Sequence, residues 1–160
     1  MIKAIVLNGT SSSGKTSIAK SLQKKLTTPF LHVQLDAFWS MVPSHIKANS
    51  TNFPYMKHII MDTTRSMLKH EAPFILDTVL PAGPQFIQSE LNDESVVYIQ
   101  IKAEISTLEQ RELERGDREI GLAKSQLDEI SNSSGYHFTI DTTYKSSDES
   151  ADEIIAKLNL

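Results

Sequence analysis

The sequence predicts an α/β fold, an open parallel sheet with helices on both faces, and three observations predict it. Short apolar runs alternate with stretches of helical spacing along the whole chain. The first run, IKAIVL at 2–7, is nearly continuous in its apolar character, as a parallel strand buried on both faces must be. A turn rich in Gly and Ser then leads from that strand directly into a helical pattern.

In chain order, the run at 2–7 and its turn are followed by Ile18, Ala19, Leu22 and Leu26 at helical spacing. That helix has to stop before Pro29, since the residue preceding a proline is pushed out of helical dihedrals. Residues 30–35 read as a second strand, 74–76 as a third, 96–101 as a fourth, and 138–140 as a fifth with a weaker pattern. Helical stretches are expected around 54–70, 84–92, 104–115, 119–131 and 149–158. The Ser-rich piece at 131–135 has the length of a loop, not of a domain boundary. No repeat, linker or low-complexity tract intervenes, so 1–160 is expected to form one domain.

Composition narrows the partners. With 160 residues, 39% hydrophobic and 22% charged, the chain balances as a globular domain with a sizeable core. A formal net charge of -4 without a basic run argues against nucleic acid as partner or substrate. No stretch approaches the roughly 20 apolar residues that span a bilayer, and the N-terminus lacks the apolar region and cleavage site of a signal peptide. The chain has no cysteine, which excludes disulfides, thiolate metal sites and cysteine nucleophiles, and points to the cytoplasm. Self-association is left open.

Chemistry begins at Gly9-Thr10-Ser11-Ser12-Ser13-Gly14-Lys15-Thr16, which fits G-x-x-x-x-G-K-[ST] at every position. Gly9 and Gly14 are expected to let the backbone curl so that successive N–H groups point at phosphate oxygens. The helix that follows, with Ser17 in its first turn, would present its positive end to the same anion. Lys15 would reach the terminal phosphates, and the Thr16 hydroxyl would ligate Mg²⁺. The motif sits between strand and helix, where it has to sit to bind the phosphates of a nucleotide.

In open α/β sheets ligands lie outside the carboxyl ends of the strands. Asp36 follows the second strand, Asp77 the third and Asp141 the fifth. Asp141, followed by two Thr residues, reads as a turn or cap residue. Asp77 ends an apolar strand, a position suited to holding Mg²⁺ or its water shell and to facing the substrate. Asp36 is the candidate catalytic base, placed to accept the proton of an acceptor hydroxyl.

Arginine is used sparingly. Four of the sixteen basic residues are Arg, and Arg111, Arg115 and Arg118 fall within eight residues. A planar guanidinium contacts phosphoryl oxygens in bidentate fashion, so a lid at about 114–125 that brings Arg115 and Arg118 over the phosphates, with Arg111 on the same helix face, is expected. The competing reading is a solvated helix whose Glu and Arg residues pair. Phe38, Trp39, Met41, Phe53, Tyr55 and Met56 follow Asp36 and suit an acceptor pocket at about 37–72, or else ordinary core packing. His58 and His70 read as surface residues.

With these residues collected, the sequence resembles the chloramphenicol phosphotransferase family. The likeness rests on LNGTSSSGKTSIAKSLQ (7–23), LDAFW (35–39), ILDTV (75–79), ERGDREIGLAKSQ (114–126) and IDTTYKSSDESADEI (140–154), and extends over nearly the whole chain. It implies a three-layer P-loop NTPase fold with a five-stranded parallel sheet in the order 2-3-1-4-5 and a small lid. It also implies ATP with Mg²⁺ as donor and a drug's primary hydroxyl as acceptor. By the same resemblance Asp36 is the catalytic base, Arg115 and Arg118 belong to the lid, and the segment from Asp141, including Thr143, lies near the nucleotide base. Ser13 stands where the family often has Ala, Thr78 where it often has a second Asp, and the segment between Asp36 and Phe74 is short. The alternatives are a kinase for another metabolite, nucleoside or antibiotic, and a regulatory module that binds nucleotide without transferring phosphate.

Overall fold

The computed structural model describes residues 1–47, 52–80, 82–116 and 121–160. Strands β1 (Ala4–Asn8), β2 (Leu31–Gln34), β3 (Phe74–Thr78), β4 (Val96–Lys102) and β5 (Phe138–Asp141) form one parallel sheet in the order β2-β3-β1-β4-β5. This is the expected order. The helices are α1 (Lys15–Lys25), α2 (Leu35–Trp39), α3 (Asn52–Lys69), α4 (Gln85–Leu91), α5 (Ile105–Arg115), α6 (Leu122–Ser131) and α7 (Ser147–Leu158).

Successive strand residues face opposite sides of a sheet, and β1 divides itself between two cores accordingly. Ile5 and Leu7 pack with Ile18 and Leu22 of α1 and Ile154 of α7. Ala4 and Val6 pack on the other side with Ile60 and Met61 of α3 and Ile87 of α4. Helices therefore cover both faces, which is why every residue of β1 is buried and why its sequence does not alternate. A third, smaller cluster joins α5 to α6 through Leu108 and Ala123.

Element ends shift by a few residues from expectation, and two of these shifts bear on the site. Strand β3 runs on through Asp77 and Thr78, because both still pair with β1, opposite Leu7 and Asn8. Apolar patterning ends at Leu76, but the backbone ladder does not. Strand β2 ends at Gln34, opposite Asp77, and Leu35 opens α2 instead of closing the strand. Asp36 thereby sits on a helical turn, two residues beyond the last strand position. Among the described residues no helix is long and apolar enough to cross a membrane.

Candidate active site

Strand β1 delivers the chain at Asn8 into the loop that precedes α1. Asn8 is fully buried, and its side chain pairs with both the N–H and the carbonyl of Leu80, so the loops after β1 and β3 are tied together. Two left-handed residues, Ser12 (φ 59°) and Gly14 (φ 97°), turn the loop. Gly9 has a different reason to be glycine. A Cβ there would lie 2.3 Å from the Ile101 carbonyl oxygen of β4 and 2.8 Å from Ser13 Oγ. Close passage of a neighbouring strand, not curling of the loop, is what Gly9 serves.

Helix α1 begins at Gly14 with no side chain capping it, so its first-turn N–H groups stay open toward the space beside the loop. The contrast with α7 is informative, since Ser146 and Glu149 close that helix with a capping box. Lys15 is largely buried, and its Nζ donates to the Thr10 carbonyl at 2.7 Å and to Ser13 Oγ at 3.5 Å. Thr10 and Ser13 stand behind the loop and brace it. Ser11, Ser12, Gly14, Lys15, Thr16 and Ser17 face a cleft of about 590 Å³. Ser12 Oγ is buried without a hydrogen-bond partner among the described residues.

Thr16 Oγ1 donates to Asp77 Oδ2 across that cleft at 2.5 Å. Burial acts to raise the Asp77 pKa, but the His32 ring, the Lys15 charge and the Thr16 hydroxyl together outweigh it and hold the carboxyl below its ordinary value. His32 Nε2 lies 3.6 Å from Asp77 Oδ2. Nothing in the sequence singles out His32, because its role depends on β2 lying beside β3. Asp36 lines the same cleft together with Gln34 and Leu35, exposed on the first turn of α2.

Helices α5 and α6 form the far wall. Arg111 donates to Thr142 Oγ1 at 3.0 Å, to the Thr142 carbonyl at 2.8 Å and to the Ser12 carbonyl at 3.4 Å. Burial draws its pKa down against the opposing charge of Glu114, and the guanidinium remains a cation on the cleft wall. Arg115 also lines the cleft, in the last turn of α5. Arg118 lies outside the described residues, as does the centre of the expected lid, and Gly116 and Gly121 flank it with φ of 66° and 90°.

The intervening Glu112 is not a solvated ion-pair partner. It is completely buried, and its carboxylate accepts from the Gly121 N–H at 2.9 Å and the Ala123 N–H at 2.7 Å, capping α6 from another helix. Gln126 of α6 accepts from the Ser11 N–H at 2.8 Å and so holds the loop itself. The segment after β5 places Thr142, not Thr143, on the cleft. Asp141 closes a turn by accepting from the Thr143 N–H and hydroxyl, and Thr143 Oγ1 accepts from the Glu104 N–H, away from the loop. The turn reading of Asp141 thus describes its contacts, and this turn directs Thr143 outward.

A smaller cavity of about 110 Å³ opens beside the cleft and shares Leu35, Thr78 and Val79 with it. Ile60 and Met61 of α3 and Phe86 and Ile87 of α4 supply much of its wall. Phe38, Trp39 and Tyr55, expected around an acceptor, line neither space. Phe38 packs on the core beneath α3, Trp39 is half-buried beside it on α2, and Tyr55 points outward from α3, 49% exposed. Met56 is core and Met41 is exposed, while the side chain of Phe53 lies outside what is described. His58 and His70 are exposed.

Sheet order, loop and cleft together define a P-loop fold of the kind that binds nucleoside triphosphates. The sequence profile described as chloramphenicol phosphotransferase-like protein matches residues 2–159, and the chain belongs to that family. A Mycobacterium tuberculosis protein named "Putative O-phosphotransferase Rv2636" is 25% identical over 170 residues, which cover 88% of this chain and 75% of the relative. Among solved structures, the Deinococcus radiodurans tunicamycin resistance protein superposes with a TM-score of 0.76 at 19% identity, covering 100% of this chain and 97% of its own. Shikimate kinase from Acinetobacter baumannii, solved with shikimate, gives 0.69 at 15% identity over 99% and 94% of the two chains. A gluconokinase from Sinorhizobium meliloti gives 0.66 at 18% identity over 98% and 91%. At these identities the solved structures speak for the fold; membership of the family makes the chain an O-phosphotransferase.

Proposed function

We propose that this protein transfers the γ-phosphoryl group of ATP to a hydroxyl of a small molecule. One observation carries the reading: a single cleft is lined both by an uncapped helix N-terminus with Lys15 and by Asp36. Phosphate groups would lie against the uncapped N–H groups at the start of α1, beside the Ser12 hydroxyl, which has no partner among the described residues. The acceptor oxygen would attack the γ-phosphorus as the bond to the β,γ-bridging oxygen breaks. Its proton passes to Asp36, and ADP is the leaving group.

Thr16 and Asp77 offer a hydroxyl and a carboxylate 2.5 Å apart, hard oxygen donors of the kind Mg²⁺ takes alongside waters and phosphate oxygens. When bound there, the ion would neutralise charge on the phosphates. Arg111 would stay on the nucleotide with Thr142 rather than Thr143 beside it, and Arg115 and Arg118 would close over the transferred group. The family name makes the primary hydroxyl of chloramphenicol the first acceptor to try, and the cysteine-free composition accords with work in the cytoplasm. The acceptor-side carboxylate and the adjoining cavity favour an enzyme over a module that merely binds nucleotide.

The test is ADP release from Mg-ATP with chloramphenicol set against a panel of hydroxylated antibiotics, sugars and nucleosides. Asp36→Asn is expected to lower turnover about 10²–10⁴-fold with nucleotide affinity nearly intact. Lys15→Ala is expected to damage both. Retained transfer in the Asp36 variant removes it as the base, and no ADP release with any hydroxyl compound removes the enzyme reading.

A further inference from the structure

The small cavity beside the cleft has one feature that its apolar wall does not explain. Lys57 of α3 is the single charged residue among the described residues lining it. Its Nζ rests 4.0 Å from the centre of the Phe86 ring, and among the described residues no carboxylate pairs with it. An ammonium over a phenyl face is held weakly compared with one bonded to an oxyanion. Leu35, Thr78 and Val79 belong to both spaces, so the cavity adjoins the cleft that Asp36 lines.

Size limits the occupant. About 110 Å³ is less than the ~150 Å³ of a cavity that takes up one benzene molecule, so this one has room for no more than a single ring. We propose that the cavity receives the ring of a small hydroxylated carboxylic acid, whose carboxylate is bound by Lys57 and whose hydroxyl is thereby aimed at Asp36. This rests on the phosphotransfer reading above and names the substrate class for it. The arrangement is that of a small-molecule site generally, an apolar wall with few polar groups that fix orientation. Lys57 swings from Phe86 to the carboxylate without backbone movement, since its four-carbon stem already lies along the wall. A neutral amide of the same shape would offer the ammonium a carbonyl but no opposite charge, and so a weaker orienting bond.

The experiment uses shape-matched pairs that differ in charge, para-hydroxymethylbenzoate against para-hydroxymethylbenzamide and hydroxycyclohexanecarboxylate against its amide. ADP release with Mg-ATP and thermal stabilisation in the presence of Mg-ADP are both read for wild type, Lys57→Met and Lys57→Arg. The acids are expected to have kcat/KM, or apparent affinity, about 10–100-fold above their amides in wild type. That ratio should fall to about one in Lys57→Met, chiefly through KM, and return in Lys57→Arg. Methionine preserves the volume and apolar wall, so a role in packing alone predicts no change in the ratio. Equal use of acid and amide, a ratio untouched by Lys57→Met, or turnover confined to neutral acceptors such as chloramphenicol overturns the assignment while leaving phosphotransfer standing. Failure of every compound to release ADP would instead strike at phosphotransfer itself, and acid-selective stabilisation absent there too would sink both.

Discussion

Replacing Glu112 by Ala separates a buried cap from a surface ion pair. The side chain is fully buried, and each carboxylate oxygen receives one backbone N–H, from Gly121 and from Ala123. Truncation leaves one buried donor, the Ala123 N–H, and one partly buried donor, the Gly121 N–H, unpaired at up to about 1–3 kcal/mol each. Relief of the cost of burying the carboxylate returns part of that, so a net loss of about 2–4 kcal/mol is expected. For a chain of this size that corresponds to a fall in Tm of roughly 4–16 °C. A surface Glu/Arg pair would be worth under about 1 kcal/mol. Because the N-terminus of α6 loosens, Gln126 should lose its hold on the Ser11 N–H and nucleotide affinity should drop as well. Urea unfolding gives the stability, and titration with a fluorescent ATP analogue below the transition gives the affinity. A loss within 0.5 kcal/mol of zero, roughly the noise of a surface substitution, refutes the cap. Lost stability with unchanged affinity refutes its link to the loop.

The two loop glycines should respond differently to alanine. Gly9→Ala drives a Cβ into the β4 backbone and is expected to cost about 3 kcal/mol or more without any nucleotide present. Gly14→Ala meets only a side-chain nitrogen at 3.9 Å and is expected to cost about 1–3 kcal/mol, the strain of its positive φ. Equal midpoints in denaturant would contradict the close approach at Gly9. Acid unfolding tests Asp77: its pKa is lowered on folding, so the native state binds fewer protons and the group's contribution is complete above the unfolded value of about 3.9. That contribution is lost as pH falls from there through the native value, and Asp77→Asn should flatten the stability curve below about pH 4. An unchanged slope in that variant would show that Asp77 is not held as described.

What could be read from the sequence was whatever depends on neighbours in the chain. The buried strand at β1, the loop with Lys15 and Thr16, and the stop of α1 before Pro29 all follow from local periodicity and backbone chemistry. That Asp36 and Asp77 would line the cleft was legible because strand ends in such a sheet face the ligand side. Thr143, implied by the family resemblance, carried no such signal, and it is Thr142 that lines the cleft while Thr143 accepts from the Glu104 N–H.

His32, Glu112, Gln126 and Lys57 carry no local signal at all. A lysine, glutamate or glutamine on an amphipathic helix reads as solvated until another element packs over it. His32 acquires meaning from β3, Glu112 from the start of α6, Gln126 from the loop, and Lys57 from α4. Even Gly9, correctly placed in its motif, owes its identity to a carbonyl 92 positions away in β4. Sequence determined which elements form, because propensity and periodicity act within a few residues. Only the tertiary structure decided which polar groups are buried against which, because desolvation and hydrogen bonding depend on contacts that the chain makes with its distant parts.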